Sequence, residues 1–163
     1  MAEHSFVLVV GAAGMDTKGR ALGDLHPGTS NPGSIRISFG GVARNVAKNL
    51  ARLGEQAVLV SALGADRPGR RIREQAVEAG VDMTHVVESP EHHSGSYMAV
   101  LGADGQLQVS IDDMAVLSAL TPALVYSRRR LIADASMVVI DANLSPPTLK
   151  TLFREAKKNN VRV

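Results

Sequence analysis

The chain has 163 residues, of which 45% are hydrophobic and 21% are charged, a balance typical of a folded globular protein. A formal charge of only +2 and an aromatic content of 3% argue against nucleic acid as a partner, since such surfaces need basic patches and stacking side chains. Cysteine is absent, which excludes disulfides and thiolate metal sites, and no apolar run reaches the ~20 residues that cross a bilayer. We therefore expect one cytoplasmic domain over residues 1–163, with neither membrane nor nucleic acid as partner.

The order of the predicted elements is that of an α/β protein with a parallel sheet. Apolar runs that end at glycine or at polar residues indicate buried strands over 6–10, 57–62 and 137–140. Capping residues, prolines and glycines indicate helices over 42–53, 66–79, 121–135 and 146–159. Residues 161–163 begin a further strand. Because strands and helices alternate, the fold class is α/β.

Asp16 is the first candidate ligand residue along the chain. It follows the first strand after a short glycine-containing turn, and ligands in open α/β sheets bind at the carboxyl edge of the strands. The glycine spacing does not match the Gly-x-Gly-x-x-Gly turn of dinucleotide-binding domains, which excludes that class. Residues 17–31 are rich in glycine, proline and polar side chains, and we predict an irregular excursion there.

Two stretches with strand patterns do not fit into the main sheet. Residues 35–39 alternate between apolar and polar side chains, and residues 94–101 and 106–111 flank a Gly-Ala-Asp-Gly turn as in a β-hairpin. We predict that they form a small separate sheet, a lid over the ligand edge. One face of such a sheet needs cover, so we also predict a homodimer formed through the lid.

The stretch from Phe39 to Gly54 carries the strongest functional signal. Gly40 and Gly41 allow a ligand to approach the backbone closely and leave free amides at the start of a helix. Asn45, one turn further, offers both a hydrogen-bond donor and an acceptor. The helical pattern places Val42, Val46, Leu50 and Leu53 on the apolar side, with Arg44, Lys48 and Arg52 on other faces. An ordinary amphipathic helix after a glycine turn is the alternative.

Together these residues resemble the PfkB family of carbohydrate kinases, which have the ribokinase-like fold. Gly40-Gly41-x-x-x-Asn45 resembles the N-terminal signature of the family, and Asp16 and Gly64-x-Asp66-x-x-Gly69 occupy the matching positions. The hairpin resembles the family's lid. Further motifs resemble the branch that acts on pseudouridine, and they lie at residues 30–33, 40–45, 96–97, 113–114 and 141–145.

The resemblance implies transfer of the ATP γ-phosphoryl group, with Mg²⁺, to a primary hydroxyl of a ribosyl substrate, here the 5′-hydroxyl of pseudouridine. It implies a clamp in which Asp16 accepts hydrogen bonds from sugar hydroxyls, while Gly40, Gly41 and Asn45 complete the contact. Asp113, where the lid returns, and Asn143, after the strand over 137–140, are further candidate substrate contacts. For each of these last two, a role confined to a turn is the alternative.

The second signature of the family, Asp-Thr-x-Gly-Ala-Gly-Asp, does not occur in the sequence. This motif supplies the catalytic aspartate and the amides that stabilise the transferred phosphate, so we assign no catalytic residue here and expect most ATP contacts elsewhere. We expect the chain to be a C-terminally truncated kinase domain that is inactive by itself. The alternative is a non-catalytic module for nucleoside binding or lid-mediated dimerisation. His92-His93 lacks a third ligand with suitable spacing, so no metal site is predicted.

Overall fold

The computed structural model describes residues 6–163, which form ten strands, five α-helices and one short 3₁₀ helix. The strands are β1 (Val7–Val10), β2 (Gly14–Ala21), β3 (Gly33–Gly40), β4 (Ala57–Val60), β5 (Ala62–Gly64), β6 (Val81–Asp82), β7 (Val87–Ser89), β8 (Gly95–Leu101), β9 (Leu107–Asp113) and β10 (Met137–Ile140). The helices are α1 (Val42–Arg52), α2 (Arg67–Glu78), α3 (Pro122–Ser127), α4 (Arg129–Asp134) and α5 (Pro146–Lys158). The 3₁₀ helix spans Ala115–Ala119.

The central sheet is parallel, and the predicted α/β fold class is confirmed. Its strand order is β10-β1-β4-β6, and β1 pairs over its full length with β10 on one side and β4 on the other. One hydrophobic cluster packs the sheet against α3, α4 and α5, and a second packs it against α1 and α2. Because helices cover both faces, the inner strands are continuous apolar runs.

A second sheet, the lid, has the strand order β3-β2-β8-β9. β2 pairs antiparallel with β3 and parallel with β8, and β8 pairs antiparallel with β9. The prediction of an irregular segment from residue 17 is wrong for residues 17–21, which belong to β2. The β2 sequence contains two glycines and no valine, isoleucine or aromatic residue, although the charged side chains Asp16, Lys18 and Arg20 alternate with Met15, Thr17 and Gly19. It is a strand because β3 and β8 pair with its backbone on both sides, a tertiary effect that local propensity does not reveal.

The two faces of the lid differ in polarity. Residues paired across neighbouring strands point to the same face, so the register shows which side chains each face carries. The polar face carries two cross-strand rows, Ser38-Asp16-Tyr97-Asp112 near the base and Arg36-Lys18-Ala99-Ser110 further out. The apolar face carries side chains that are each more than half exposed, namely Ile35, Ile37, Met98, Val109 and Ile111. The lid is therefore an amphipathic sheet attached to the helical layer at its base.

Two predicted elements are divided in the structure. The helix predicted over 121–135 consists of α3 and α4, which meet at Arg128, whose guanidinium donates a hydrogen bond to the carbonyl of His85 (3.3 Å). The strand predicted over 57–62 consists of β4 and the start of β5, which pairs with β7 instead of joining the central sheet. Near the end of the chain, Arg162 forms an isolated parallel bridge with Met137. Among residues 6–163, no helix is both long and apolar enough to cross a membrane.

Candidate functional site

The turn between the lid and α1 consists of two glycines whose neighbours leave no room for a side chain. Gly41 has φ = +91°, and a Cβ there would lie 2.5 Å from the Cα of Ala13. A Cβ on Gly40 would lie 2.6 Å from Cγ of Asp16. Both distances are shorter than real Cβ contacts, so only glycine allows this turn to pack against the end of β1 and the carboxylate of Asp16.

Asp16 lies at the base of the polar face, directly beside the glycine turn. The register places it opposite Ser38 on β3 and Tyr97 on β8, and Asp112 on β9 completes the row. Two carboxylates and two hydroxyls thus line one side of the lid base. Carboxylates accept hydrogen bonds and hydroxyls both donate and accept, so the row suits a ligand that carries several hydroxyl groups.

Asn45 approaches the same turn from α1. Its backbone N–H donates to the carbonyl of Gly41 (2.9 Å), and its Oδ1 accepts a hydrogen bond from Nη1 of Arg44 (3.0 Å). Because arginine has donors only, this contact identifies the oxygen end of the amide. The amide NH₂ group makes no hydrogen bond within residues 6–163. Of the donor and acceptor expected at Asn45, the structure leaves the donor end free.

Arg44 is almost fully buried, with 1% of its surface exposed, so the expectation that it lies on a polar face of α1 is wrong. The reason is that the first turn of α1 packs under the end of β3, where Nη1 also donates to the carbonyl of Phe39 (3.1 Å). Val42 and Leu53, predicted to be on the apolar side, are exposed. Val46 and Leu50, also predicted there, pack against the core beside the buried Ala43 and Ala47.

The charge of Arg44 is only partly compensated. Burial lowers the pKa of Arg44, the positive charge of Arg52 lowers it further, and the negative charge of Asp16 raises it. Nε and Nη2 are buried and have no hydrogen-bond partner within residues 6–163. The ring of Phe39 lies 5.8 Å from the guanidinium carbon. Buried charged groups are normally paired, so an arginine here requires a specific reason.

Asn143 lies at the same sheet edge, beyond β10. Its backbone N–H donates to Oδ1 of Asp141 (3.0 Å), while its side chain is exposed. The other oxygen of the buried Asp141 accepts a hydrogen bond from the N–H of Ala12 (3.0 Å) after β1. The carbonyl of Ala12 accepts in turn from the N–H of Arg44 (3.1 Å). Asp141 thus ties the ends of β1 and β10 to the start of α1.

Asp113 is not in the row of Asp16. The register pairs Asp113 with Ser96 and therefore places it with the apolar face, whereas Asp112 pairs with Tyr97 on the polar face. The Asp113 Oδ1 accepts a hydrogen bond from the N–H of Ala115 (3.1 Å) at the start of the 3₁₀ helix. Successive residues of β9 point to opposite faces, so only one of the two aspartates can lie on the polar face. Which one it is could not be predicted before the register was known.

The base of β8 is fixed to α2 by Asp66, the N-cap residue of that helix. Asp66 Oδ1 accepts from the N–H of Gly69 (2.7 Å) and from Oγ of Ser94 (2.6 Å), and Oδ2 accepts from the N–H of Ser94 (2.8 Å). Burial acts to raise the pKa of Asp66, but these hydrogen bonds outweigh it and hold the pKa below its usual value. The predicted N-cap is confirmed. The same side chain also links the lid to the helical layer.

Further out on the polar face lies a groove of about 620 Å³ with basic walls. Lys18 stands directly opposite Arg36, and Arg20 follows along β2. Like charges directly opposite each other on a sheet repel, and no carboxylate lines this groove. The groove therefore favours ligand groups that offer acceptor oxygens or negative charge.

The residues described here can bind and orient a polyhydroxylated ligand, but they do not fit a bound metal–nucleotide pair. Within residues 6–163, no group of three histidine, aspartate or glutamate side chains could hold a metal ion. The sequence also lacks the Gly-x-x-x-x-Gly-Lys-Ser/Thr loop that cradles phosphates.

A parallel α/β layer joined to a β lid by a Gly-Gly turn defines the ribokinase-like fold. A carbohydrate kinase from Agrobacterium tumefaciens superimposes with a TM-score of 0.86 at 33% identity, covering 96% of this chain and 52% of that one. Arabidopsis thaliana ribokinase, solved with ribose and ATP, superimposes with a TM-score of 0.87 at 22% identity, covering 99% and 52%. At that identity the second likeness concerns the fold alone.

The chain belongs to the pfkB family of carbohydrate kinases, whose model matches residues 4–163. The pseudouridine kinase of Escherichia coli (strain K12) is 34% identical over 156 residues, which are 96% of this chain and 50% of the relative. The guanosine-inosine kinase of Exiguobacterium acetylicum is 31% identical over 152 residues, which are 93% of this chain and 50% of the relative. The chain thus spans about half the length of these relatives, and the resemblance read from the motifs is confirmed.

Proposed function

We propose that the protein phosphorylates the 5′-hydroxyl of a ribosyl nucleoside and that its substrate is pseudouridine. The observation that carries the proposal is a set of three groups at one turn: the Asp16 carboxylate in contact with Gly40, the Gly40-Gly41 backbone, and Asn45, whose N–H bonds to Gly41 and whose Oδ1 bonds to Arg44. Such a set matches the hydroxyls of a ribose ring, which donate to carboxylates and accept from amides. The activity is proposed for the complete gene product, because the chain spans about half the length of its relatives.

In this proposal the chain supplies the acceptor side of the reaction. Asp16 accepts hydrogen bonds from sugar hydroxyls, and the N–H of Gly41 and the NH₂ group of Asn45 donate to hydroxyl oxygens. Holding the attacking hydroxyl in a fixed position is a large part of what a phosphoryl-transfer enzyme contributes. Asn143 is proposed as a contact from the end of β10. Asp112 replaces Asp113 as the lid carboxylate, because it shares the row of Asp16.

Two observations support a nucleoside as the acceptor. Kinases of pseudouridine and of guanosine and inosine are both among the relatives of which this chain covers half. The basic groove lies further out on the polar face than Asp16, and the proposal places the base of the nucleoside there. Its lysine and arginine donors suit the carbonyl oxygens of a pyrimidine base. The motifs shared with the pseudouridine branch favour that nucleoside over the purine nucleosides.

ATP with Mg²⁺ is the proposed phosphoryl donor, as membership of the family implies. The residues of this chain do not fit that pair, so the proposal assigns the phosphate-binding groups and the catalytic base to a part of the protein outside residues 1–163. When bound, Mg²⁺–ATP supplies the γ-phosphoryl group and neutralises the charge that develops on it.

A homodimer through the apolar face of the lid completes the proposal, since five exposed apolar side chains there need cover.

The test is a comparison of acceptors with the complete gene product, ATP and Mg²⁺. Pseudouridine, uridine, guanosine, inosine and ribose are offered separately, and phosphorylated products are identified by mass spectrometry. The expected result is pseudouridine 5′-monophosphate, formed with the highest kcat/KM of the set. Turnover of ribose with none of the nucleosides contradicts the proposal. Nucleoside binding without turnover supports the alternative, a non-catalytic binding module.

A further inference from the structure

Arg44 lies within the motif at residues 40–45, but the signature Gly40-Gly41-x-x-x-Asn45 leaves its position open, and it is the largest fully buried side chain in the described part of the chain. It lies between the two positions that the family signature does mark, Gly40-Gly41 and Asn45. Burying a guanidinium removes its hydration, and two of its nitrogens lack partners within residues 6–163. A neutral side chain of similar length would avoid that cost. The guanidinium therefore needs a role that a neutral side chain cannot fill.

A single nitrogen of Arg44 bonds both sides of the glycine turn. Nη1 donates to the carbonyl of Phe39, the residue before Gly40, and to Oδ1 of Asn45 on α1. The first bond fixes the end of β3, and the second fixes the rotation of the Asn45 amide. An asparagine amide is nearly symmetric in shape, so packing alone does not decide which end faces a ligand. A neighbour that has donors but no acceptor, such as Arg44, fixes the orientation because only the oxygen end of the amide can bond to it.

We infer that Arg44 is a positioning residue that holds the Asn45 amide with its NH₂ end toward the acceptor substrate, so that the site presents a donor at Asn45 and an acceptor at Asp16. This inference deepens the proposed function and rests on it for the identity of the ligand. This arrangement of donor and acceptor selects a ligand with a hydroxyl that donates a hydrogen bond to Asp16 and a neighbouring oxygen that accepts one from Asn45. A ligand without an acceptor oxygen at the second position loses that contact.

The first test measures the amide itself, with no ligand present. In ¹⁵N-labelled complete gene product, the order parameter of the Asn45 side-chain amide is expected to be high in the wild type. It is expected to fall in Arg44→Met, which has no donor, and to stay near the wild-type value in Arg44→Lys, whose ammonium can still donate. An unchanged order parameter in Arg44→Met overturns the inference. Arg52→Met is the matched control, because it removes a cation from the exposed side of the same helix.

The second test measures kinetics for the nucleoside acceptor. Arg44→Met is expected to raise KM roughly tenfold with kcat within about twofold, since it removes ground-state orientation and touches no reacting atom. Arg44→Lys is expected to recover most of that loss. In an Asn45→Ala background, Arg44→Met is expected to add little, because the two residues act through one contact. Fully additive effects in this cycle overturn the inference.

Asn45→Asp keeps the test decisive if Arg44→Met does not fold. An aspartate still accepts the bond from Arg44 but has no NH₂ group, so the same rise in KM is expected with the fold intact. A wild-type KM in Asn45→Asp contradicts the assigned polarity. If no ribosyl compound is phosphorylated at all, the proposed function has failed, and the order parameter of the amide still decides whether Arg44 positions Asn45.

Discussion

At the scale of single residues, the proposed site depends on the missing side chains of two glycines as much as on the polar groups of aspartate and asparagine. Gly40 and Gly41 bring the lid and α1 so close to β1 that any Cβ would overlap Asp16 or Ala13. Sequence inspection proposes both glycines, Asp16 and Asn45 as site residues, because their types and spacing are distinctive. It does not identify Arg44, because a cation on an amphipathic helix normally indicates a solvated face. Burial of that side chain follows from how α1 meets β3, which is tertiary information.

Gly41→Ala should abolish binding of the acceptor substrate and lower stability by more than the conformational term alone. An alanine at φ = +91° costs about 1 kcal/mol, and its Cβ would also overlap Ala13. Gly54→Ala is the matched control, because Gly54 has φ = +92° and no atom within 4 Å of the added Cβ. Urea denaturation and acceptor kinetics of both variants of the complete gene product measure the difference. Equal losses of stability and substrate binding would show that the turn tolerates a side chain.

Asp16→Asn should impair use of the acceptor nucleoside far more than use of ATP. The carboxylate accepts hydrogen bonds from neutral hydroxyls, and loss of one charged partner costs about 1.5–3 kcal/mol, or roughly ten- to hundredfold in kcat/KM. Kinetics with each substrate varied in turn measure the two effects, with the exposed Asp24→Asn as control. Equal increases in both KM values would assign Asp16 to the fold instead of the substrate site.

At the scale of elements, the lid is joined to the helical layer by a few specific contacts at its base. One is the glycine turn between β3 and α1, and another is the set of bonds from Ser94 to Asp66 beside β8. The sequence predicts β3, β8, β9 and α2 from local patterns. It does not predict β2, because glycine and charged residues have a low strand propensity. The strand forms because its backbone pairs on both sides. Elements with weak local preference are decided by their neighbours.

The contribution of Asp66 to stability should depend on pH with a defined sign. Because its pKa in the folded protein lies below the unfolded value, its stabilisation is complete above about pH 4 and is lost as the pH falls through the folded pKa. Asp66→Ala should therefore cost about 2 kcal/mol at pH 7 and progressively less as the pH falls below about 4. Urea unfolding across this range measures the difference in free energy between the two proteins. A difference that is constant with pH would contradict the assignment.

The apolar face of the lid should mediate dimerisation. Ile111 is 70% exposed in the single chain, and a charge at that position would remain unpaired in a lid–lid interface. Ile111→Glu should therefore yield monomers, whereas Ser110→Glu, on the opposite face of the same strand, should leave the dimer intact. Sedimentation velocity at micromolar concentration distinguishes the two states. A monomeric wild type at that concentration rules out this interface.

At the scale of the whole molecule, the proposed function assigns this chain to the acceptor side of the reaction. The central sheet, the lid and the glycine turn meet at the proposed acceptor site, and residues 6–163 contain no group of three side chains that could hold a metal ion. Fold class and family could be predicted from the sequence because the apolar strands and the glycine signature are local features. The order of strands in the lid and the choice between Asp112 and Asp113 could not, because both depend on register.

A protein limited to residues 1–163 should show no kinase turnover. Electrostatic stabilisation of the transferred phosphoryl group is usually the largest catalytic term, and no described residue supplies it. Purified protein of this length, incubated with ATP, Mg²⁺ and pseudouridine, is expected to give no phosphorylated nucleoside above a control without enzyme. Product above that control, with host kinases excluded by an Asp16→Asn preparation, would show that these residues contain a complete catalytic site.

The two-sided lid also has a consequence for how such proteins diversify. Along each lid strand, successive residues alternate between the polar face, which the proposed function assigns to the ligand, and the apolar face, which it assigns to another chain. In that proposal neighbouring codons control separate traits: a point mutation at Lys18 alters the ligand face, whereas one at Ile111 alters the face that meets another chain. Selection can change the preferred substrate while keeping the assembly, or change the assembly while keeping the substrate. A single small sheet therefore gives a lineage of enzymes two independent routes of variation.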